Sequence, residues 1–339
     1  MYERDFAQIK KAGFDHVRLP VNPEEMGGKL EQGASLAATD FTRVDKAIAM
    51  AVKYHLAVIL DIHPEEEFVK TLQDEAWAEP QFIAMWVALT KRYKDYPADA
   101  LAFELLNEPQ YYRQESRYNL FVRKLTGAIR KEDDKRTLIV AAPDGSSIEG
   151  LQKLDTIDDP HVIYDVHFYE PYMITAQGYH TGFEKTMLRY FRGVPYPSER
   201  VEHDAEFHAP LAPNPSQAED ELKAYTNAPW DARHIAGRIQ LVKAWADSHK
   251  ARVICGEFGV LRNHIDPDSR YRWIADVRKA LEADGIGWEL WDYTDIFGIA
   301  RLVGETTPPD PVDGSIRLAD PEKGSRLIEP AAMTALGLK

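Results

Sequence analysis

Seven short apolar runs, each followed or preceded by a helix-periodic segment, constrain this chain more than any other feature. The runs are His16–Val21, Ala57–His63, the stretch opening at Leu101, Thr137–Ala142, Val162–Tyr169, Ala251–Glu257 and Ile286–Trp291. Ala57-Val-Ile-Leu-Asp-Ile-His63 is nearly continuous in apolar residues, the pattern of a parallel strand covered on both faces. Between the runs lie segments with helical spacing. Val44, Ile48, Ala51 and Val52 share one face of 41–55, and Trp86, Leu89 and Tyr93 one face of 82–96. Segments 118–132 and 269–284 repeat the pattern, 148–154 more weakly, and 232–248 carries Ile235, Ile239, Val242 and Trp245 on one face.

Short strands alternating with helices imply parallel βα units joined by right-handed crossovers. A helix over 3–12, with Phe6, Ile9 and Ala12 on one face and Gly13 as its cap, precedes the first strand. The expected fold is therefore α/β, a (β/α)8 TIM barrel whose first β-strand is missing or degenerate. A doubly wound open sheet would call for a Gly-rich phosphate loop after the first strand, and none is present. The 339 residues are read as one (β/α)8 domain. One segment breaks the rhythm: 170–230 follows the sixth strand of the full barrel count and reads as an inserted loop subdomain near the barrel mouth. Its Tyr172, Tyr179, Phe183, Tyr190, Phe191, Tyr196 and Trp230 suit either an aromatic wall beside a site or a satellite core of their own. Beyond the last run, 303–320 reads as Pro/Gly/Asp-rich loop and 330–338 as a closing helix.

Charge and cysteine content narrow the function. With 41 basic and 55 acidic residues the formal charge is −14, and no dense Lys/Arg run could track a phosphate backbone. A nucleic-acid partner is excluded on that ground, and a neutral substrate is favoured over an acidic polymer. The single cysteine, Cys255, permits neither an intramolecular disulfide nor a multi-thiolate metal site. No window is apolar for long enough to span a bilayer, and the N-terminus lacks the features of a secretion signal. The expectation is a cytoplasmic protein or one whose leader has been removed.

Polar residues sit at the C-terminal ends of the strands: Arg18, His63, Asn107 with Glu108, His167 with Tyr169, Glu257, and Trp291. Parallel barrel strands gather such ends at one mouth, where barrel enzymes do their chemistry. Pro109 stops the third run directly after Glu108, because proline cannot donate to a sheet ladder. Two glutamates, Glu108 and Glu257, stand on different strands. A carboxyl pair is the minimum equipment for glycoside hydrolysis. Asp61, Glu104, Asp165 and Glu289 lie further back along the strands and are expected to be ion-paired.

The ordered set Val-Arg18-Leu-Pro, Asp-Ile-His63, Asn107-Glu108-Pro109, His167-Phe-Tyr169, Gly256-Glu257-Phe-Gly259 and Trp288-Glu-Leu-Trp291 resembles glycoside hydrolase family 5, the cellulase family of retaining (β/α)8 enzymes. The resemblance runs over roughly residues 3–300. It implies Glu108 as acid/base and Glu257 as nucleophile, the latter's charge supported by Arg18 and the Tyr169 hydroxyl. It implies Asn107 on the sugar 2-hydroxyl, His63 and His167 binding hydroxyls or orienting the acid, and Trp291 as the floor for a pyranose ring. No cofactor or metal is implied. The substrate implied is a neutral β-linked glycan, with endo-β-1,4-glucanase activity first and β-mannan, β-1,3-glucan or another β-glycoside as alternatives. The resemblance also favours an extracellular or periplasmic setting. Two readings from other classes compete. One is a metal-dependent hydrolase built on His63, His167 and a carboxylate. The other is a non-catalytic carbohydrate-binding barrel.

Overall fold

The computed structural model describes residues 2–179, 187–202, 213–302 and 326–338. Seven strands, β1 (His16–Val21), β2 (Ala57–Ile62), β3 (Leu101–Glu104), β4 (Leu138–Ala141), β5 (Val162–Phe168), β6 (Arg252–Phe258) and β7 (Gly287–Leu290), follow one another in chain order in one sheet. The ladders from β1 to β5 are all parallel, with His16 opposite Ala57, Val58 opposite Leu101, Phe103 opposite Leu138, and Leu138 opposite Val162. This is the strand order of a (β/α)8 fold short of its first strand: among the described residues, no strand precedes the helix Glu3–Lys11.

β1 runs through Pro20 to Val21 rather than ending at the proline. The carbonyls of Asp15 and Val21 accept from the amides of Ala57 and His63, so Pro20 is out of phase with that ladder. Its missing N–H falls on the side away from β2, where β1 is the first strand of the sheet. β3 is shorter than its apolar run. Regular pairing stops at Glu104, yet Leu105 still donates to Ile139 and Asn107 to Ile62, so the polar end of the run stays anchored to both neighbours.

The chain forms two compact units, Met1–His167 with Ala244–Ile254, and Phe168–Lys243 with Cys255–Lys339. In the first, helix Ala78–Tyr93 buries Phe82, Met85, Trp86, Leu89 and Tyr93, and the Trp86 indole donates to the Leu105 carbonyl at 3.0 Å. In the second, helix Pro267–Ala283 buries Trp273, Ile274, Val277 and Leu281. Trp273 stacks on Phe168 and donates to the Glu170 carbonyl. Phe191 and Tyr196 of the inserted segment are buried within this second unit, the Tyr196 hydroxyl bonding Asp276, whereas Tyr172 is about half exposed. Phe183 and the 303–320 tail lie outside the described residues.

Three features escaped the sequence pattern. Helices Glu66–Asp74 and Pro215–Asn227 each bury only three side chains, too few for a clear period, and the antiparallel pair Ala300–Leu302 with Arg326–Ile328 is built from three-residue strands. The last helix is Pro330–Ala335, ending earlier than expected.

One buried cation ties the first unit together. Arg136, just before β4, is 1% exposed. Its guanidinium donates to the carbonyls of Tyr93, Tyr96, Pro97 and Leu101, and pairs with Asp133 at 3.0 Å. It thereby satisfies the C-terminal carbonyl of helix Ala78–Tyr93 and the turn that leads into β3. Arg136→Ala leaves these acceptors without their donor and should cost about 3–5 kcal/mol of unfolding free energy. Urea titration followed by tryptophan fluorescence reads this directly, and a loss below about 1 kcal/mol would contradict the role assigned to Arg136.

Candidate active site

In the first unit, the ends of β1, β2, β3 and β5 carry a buried network centred on Arg18. Its guanidinium donates to both carboxylate oxygens of Glu104, at 2.7 Å from Nε and 2.6 Å from Nη2. The same Nη2 lies 2.9 Å from Asp61 and 2.9 Å from the Asn107 Oδ1. Side-chain exposure is 5% for Arg18, 1% for Glu104 and 0% for Asp61, so two acids and one cation share a space without bulk water. Burial pushes the Glu104 carboxyl well above the usual range. The Arg18 charge opposes that shift, and the Asp61 and Asp165 charges add to it.

This network fixes one amide. Because Asn107 Oδ1 accepts from Arg18, its Nδ2 faces the His63 Nε2, 3.1 Å away, and donates to it. The His63 Nε2 is then unprotonated, and its Nδ1–H donates to Asp61 at 2.9 Å. One N–H of Asn107 is left over for a ligand. His63 follows β2 and Asp61 lies two residues back, on the same strand face. The spacing recurs on β5, where His167 Nε2 is 3.1 Å from Asp165. The other nitrogen of that ring, Nδ1, is 2.9 Å from Glu108 Oε1. Glu108 itself has left-handed backbone, with φ 39°, an uncommon conformation for a residue with a Cβ. Its carboxylate is 41% exposed while His167 is buried at 2%. A carboxyl that reaches solvent from a buried imidazole can meet a substrate oxygen without losing its anchor.

The expected residues of this unit, Arg18, His63, Asn107, Glu108 and His167, are thus joined by contacts between their own side chains and Asp61, Glu104 and Asp165. Of these three acids, expected as ion-paired residues behind the site, Asp61 and Glu104 pair with Arg18, and Asp165 lies beside the His167 ring. What sequence reading did not extract was the repeated Asp-x-His spacing, Asp61-Ile-His63 and Asp165-Val-His167, which was visible in the chain. Glu104, Asp165 and His167 also bring three potential metal donors within 4.8 Å of one another, all buried. A divalent ion on Glu104 would meet the Arg18 guanidinium already bonded to it, which disfavours the metal-dependent alternative.

In the second unit, Glu257 lies on β6 and is 4% exposed. The Tyr169 hydroxyl donates to its Oε2 at 2.7 Å. Tyr169 is held in turn by an edge-on contact with Phe297. Trp291 follows β7, and its backbone N–H donates to the Phe258 carbonyl, next to Glu257. That approach explains Gly259: a Cβ there would lie 2.0 Å from the Trp291 carbonyl oxygen. Asp292, joined to Trp291 by a cis peptide bond, accepts from the Asp295 amide at 2.7 Å. Burial pushes its carboxyl up to about 6, an increase that outweighs this hydrogen bond.

The family model described as cellulase (glycosyl hydrolase family 5) matches residues 2–296. Endoglucanase C of Acetivibrio thermocellus is 30% identical over 303 residues, covering 86% of this chain and 83% of that enzyme. Cellodextrinase A of Ruminococcus flavefaciens is 23% identical over 302 residues, covering 85% and 76%. Among solved structures, Thermotoga maritima Cel5A in complex with cellobiose superposes with a TM-score of 0.71 at 25% identity, over 99% of this chain and 90% of that one.

The raised Asp292 carboxyl makes stability depend on pH. A carboxyl with a folded-state pKa of about 6, against 3.8 as its ordinary value, favours the folded protein fully below the lower value. That contribution disappears as pH rises through 6, a loss of roughly 3 kcal/mol. Asp292→Asn should therefore flatten the decline in stability between pH 4 and pH 7, measured by urea unfolding at several pH values. An unchanged pH slope in the variant would show that Asp292 ionises normally in the folded chain.

Proposed function

From the premise that this chain belongs to glycosyl hydrolase family 5, the cellulase family, we propose that it cleaves internal bonds of a neutral β-1,4-glucan, with Glu108 as acid/base and Glu257 as nucleophile. The chain is a retaining glycoside hydrolase of the endoglucanase-like kind, and its substrate is a carbohydrate. The choice of β-1,4-glucan rests on relatives named as endoglucanases and a cellodextrinase, and on a net charge of −14 that disfavours acidic polymers.

The observation that carries the assignment is the environment of each glutamate. Glu257 is buried, and its Oε2 accepts from the Tyr169 hydroxyl, which helps hold the carboxylate in one orientation for attack. Glu108 is half-exposed and tethered to His167, the environment suited to a group that must give a proton and later take one. In the first step a Glu257 oxygen bonds to the anomeric carbon as the glycosidic C–O bond breaks, and the Glu108 proton passes to the departing oxygen. In the second, Glu108 takes a proton from water, the water oxygen bonds to the anomeric carbon, and Glu257 leaves. Two inversions give net retention.

Asn107 would hold the 2-hydroxyl of the sugar under attack. Its amide is committed through Arg18 and His63 to one orientation, so the remaining N–H costs little to align. Trp291 would offer an apolar face to the same ring.

Azide separates the two roles. On an aryl β-cellobioside, Glu257→Ala should lose about 10⁴-fold or more of its turnover, and added azide should restore part of it as an α-glycosyl azide. Glu108→Ala with azide should give the β-glycosyl azide instead. The same stereochemistry from both variants, or no azide product from either, would overturn the assignment. A crystal structure should find the two carboxyl groups about 5–5.5 Å apart, the spacing of retaining enzymes.

A further inference from the structure

We propose that Tyr112 is the platform on which the leaving-group sugar stacks, so that it sets how tightly the glycan beyond the cleaved bond is held. The inference rests on the assignment of Glu108 as acid/base and extends it to the other half of the substrate.

The segment that follows Glu108 is shaped by two left-handed residues, Glu108 at φ 39° and Arg113 at φ 61°, which bracket Pro109–Tyr112. Within that short bracket two adjacent tyrosines have opposite fates. Tyr111 is fully buried, its ring 5.0 Å from Tyr118 and stacked at 6.3 Å on Phe121. Tyr112 is 57% exposed. A lone exposed aromatic is ordinary on a protein surface; one fixed from beneath is a different matter.

The fixing is visible. The Gly145 amide donates to the Pro109 carbonyl at 3.0 Å, joining the loop after β4 to the loop after β3. A Cβ on Gly145 would stand 3.4 Å from the Tyr112 hydroxyl, so the phenol tip rests against that glycine. Gly145 has φ +72°, a conformation that disfavours any side chain there. Lys153 then clamps the shelf from behind, with Asp144 and Glu115 each 2.7 Å from its ammonium. Tyr112 is therefore anchored through its neighbour and at its tip, and its ring needs little further ordering to bind.

Position supplies the ligand chemistry. An acid/base group must touch the glycosidic oxygen, and that oxygen departs with the leaving sugar. Asn107, on the strand side of Glu108, is committed to the sugar under attack, which leaves the loop side of Glu108 for the leaving sugar. Partial burial, and then the charges of Asp144 and Glu108, raise the Tyr112 phenol above its ordinary range, in keeping with a ring close to that carboxylate. A β-1,4-linked glucose ring keeps its hydroxyls equatorial and presents C–H faces, the surface an aromatic ring binds.

The test compares cellotetraose, which places a sugar on the leaving side, with β-cellobiosyl fluoride, which places none there. In Tyr112→Ala the ratio of kcat/KM for cellotetraose to that for the fluoride should fall about 3- to 10-fold, through KM more than kcat. Tyr112→Phe, which keeps the ring, should stay within about twofold of the parent. An equal loss on both substrates would assign Tyr112 a structural role, and an unchanged ratio would leave it no role in binding. A Phe variant as impaired as the Ala variant would place the effect in the hydroxyl; each of these three results overturns the platform. Glu108→Ala is run alongside with azide: turnover of the fluoride but not of cellotetraose upholds the acid/base assignment independently of Tyr112. Equal failure of that variant on both substrates would sink the assignment itself.

Discussion

The bidentate bond between Arg18 and Glu104 is the constraint on which the first unit's candidate site residues depend. Both side chains are almost fully enclosed, and Asp61 shares the same guanidinium. Stability alone does not account for such a cluster, since apolar residues of similar volume often serve as well or better. Its product is orientation. Arg18 fixes the Asn107 oxygen, Asn107 fixes the proton on His63, and His63 returns to Asp61, closing a ring of contacts in which each side chain has one sensible arrangement. Removing Arg18 would leave two buried carboxylates without their cation and an amide free to flip.

The same logic separates the two histidines. His63 is neutral by virtue of its partners and acts as a spacer that presents Asn107. His167 lies between two carboxylates, Asp165 behind and Glu108 in front, and gives Glu108 a buried support. Two Asp-x-His pairs on different strands, built with one spacing, thus do different work because one faces an amide and the other a carboxyl. In the second unit the Tyr169 phenol helps to orient Glu257, as the larger network orients Asn107.

Much of this was legible in the chain because strand periodicity is strong and binary. Runs such as Ala57–Ile62 and Leu138–Ala141 are buried nearly throughout, so their apolar character announced parallel strands covered on both faces. The polar residues that interrupt or end them were forced to be functional or paired. Less was legible where the physics is local and weak. Helix Pro215–Asn227 offers only Ala218, Leu222 and Tyr225 to its core, and its start is set by Asn214 capping Gln217 rather than by any apolar period. Two partners of Arg18 were hidden for a related reason. Within its own unit the guanidinium is bonded to Glu104 and Asp61, which stand further along neighbouring strands. The register that sets Pro20 opposite Asp61 decides which side chains reach Arg18, and no single-strand pattern contains it.

Strand ends and loops therefore carry different information. The groups proposed to perform the reaction sit on or directly after strands, where backbone pairing fixes them to their neighbours and where a short motif suffices to single them out. The aromatic residue proposed to hold the leaving sugar sits on a connection, where position depends on devices such as the left-handed backbone at Glu108 and Arg113, the Gly145–Pro109 bond and the Lys153 clamp. Tyr111 and Tyr112 are identical in composition and adjacent in sequence, yet one is core and the other surface. Nothing in a propensity or a period distinguishes them; only the turn that carries them does. A reaction can thus be read from such a chain well before its substrate can.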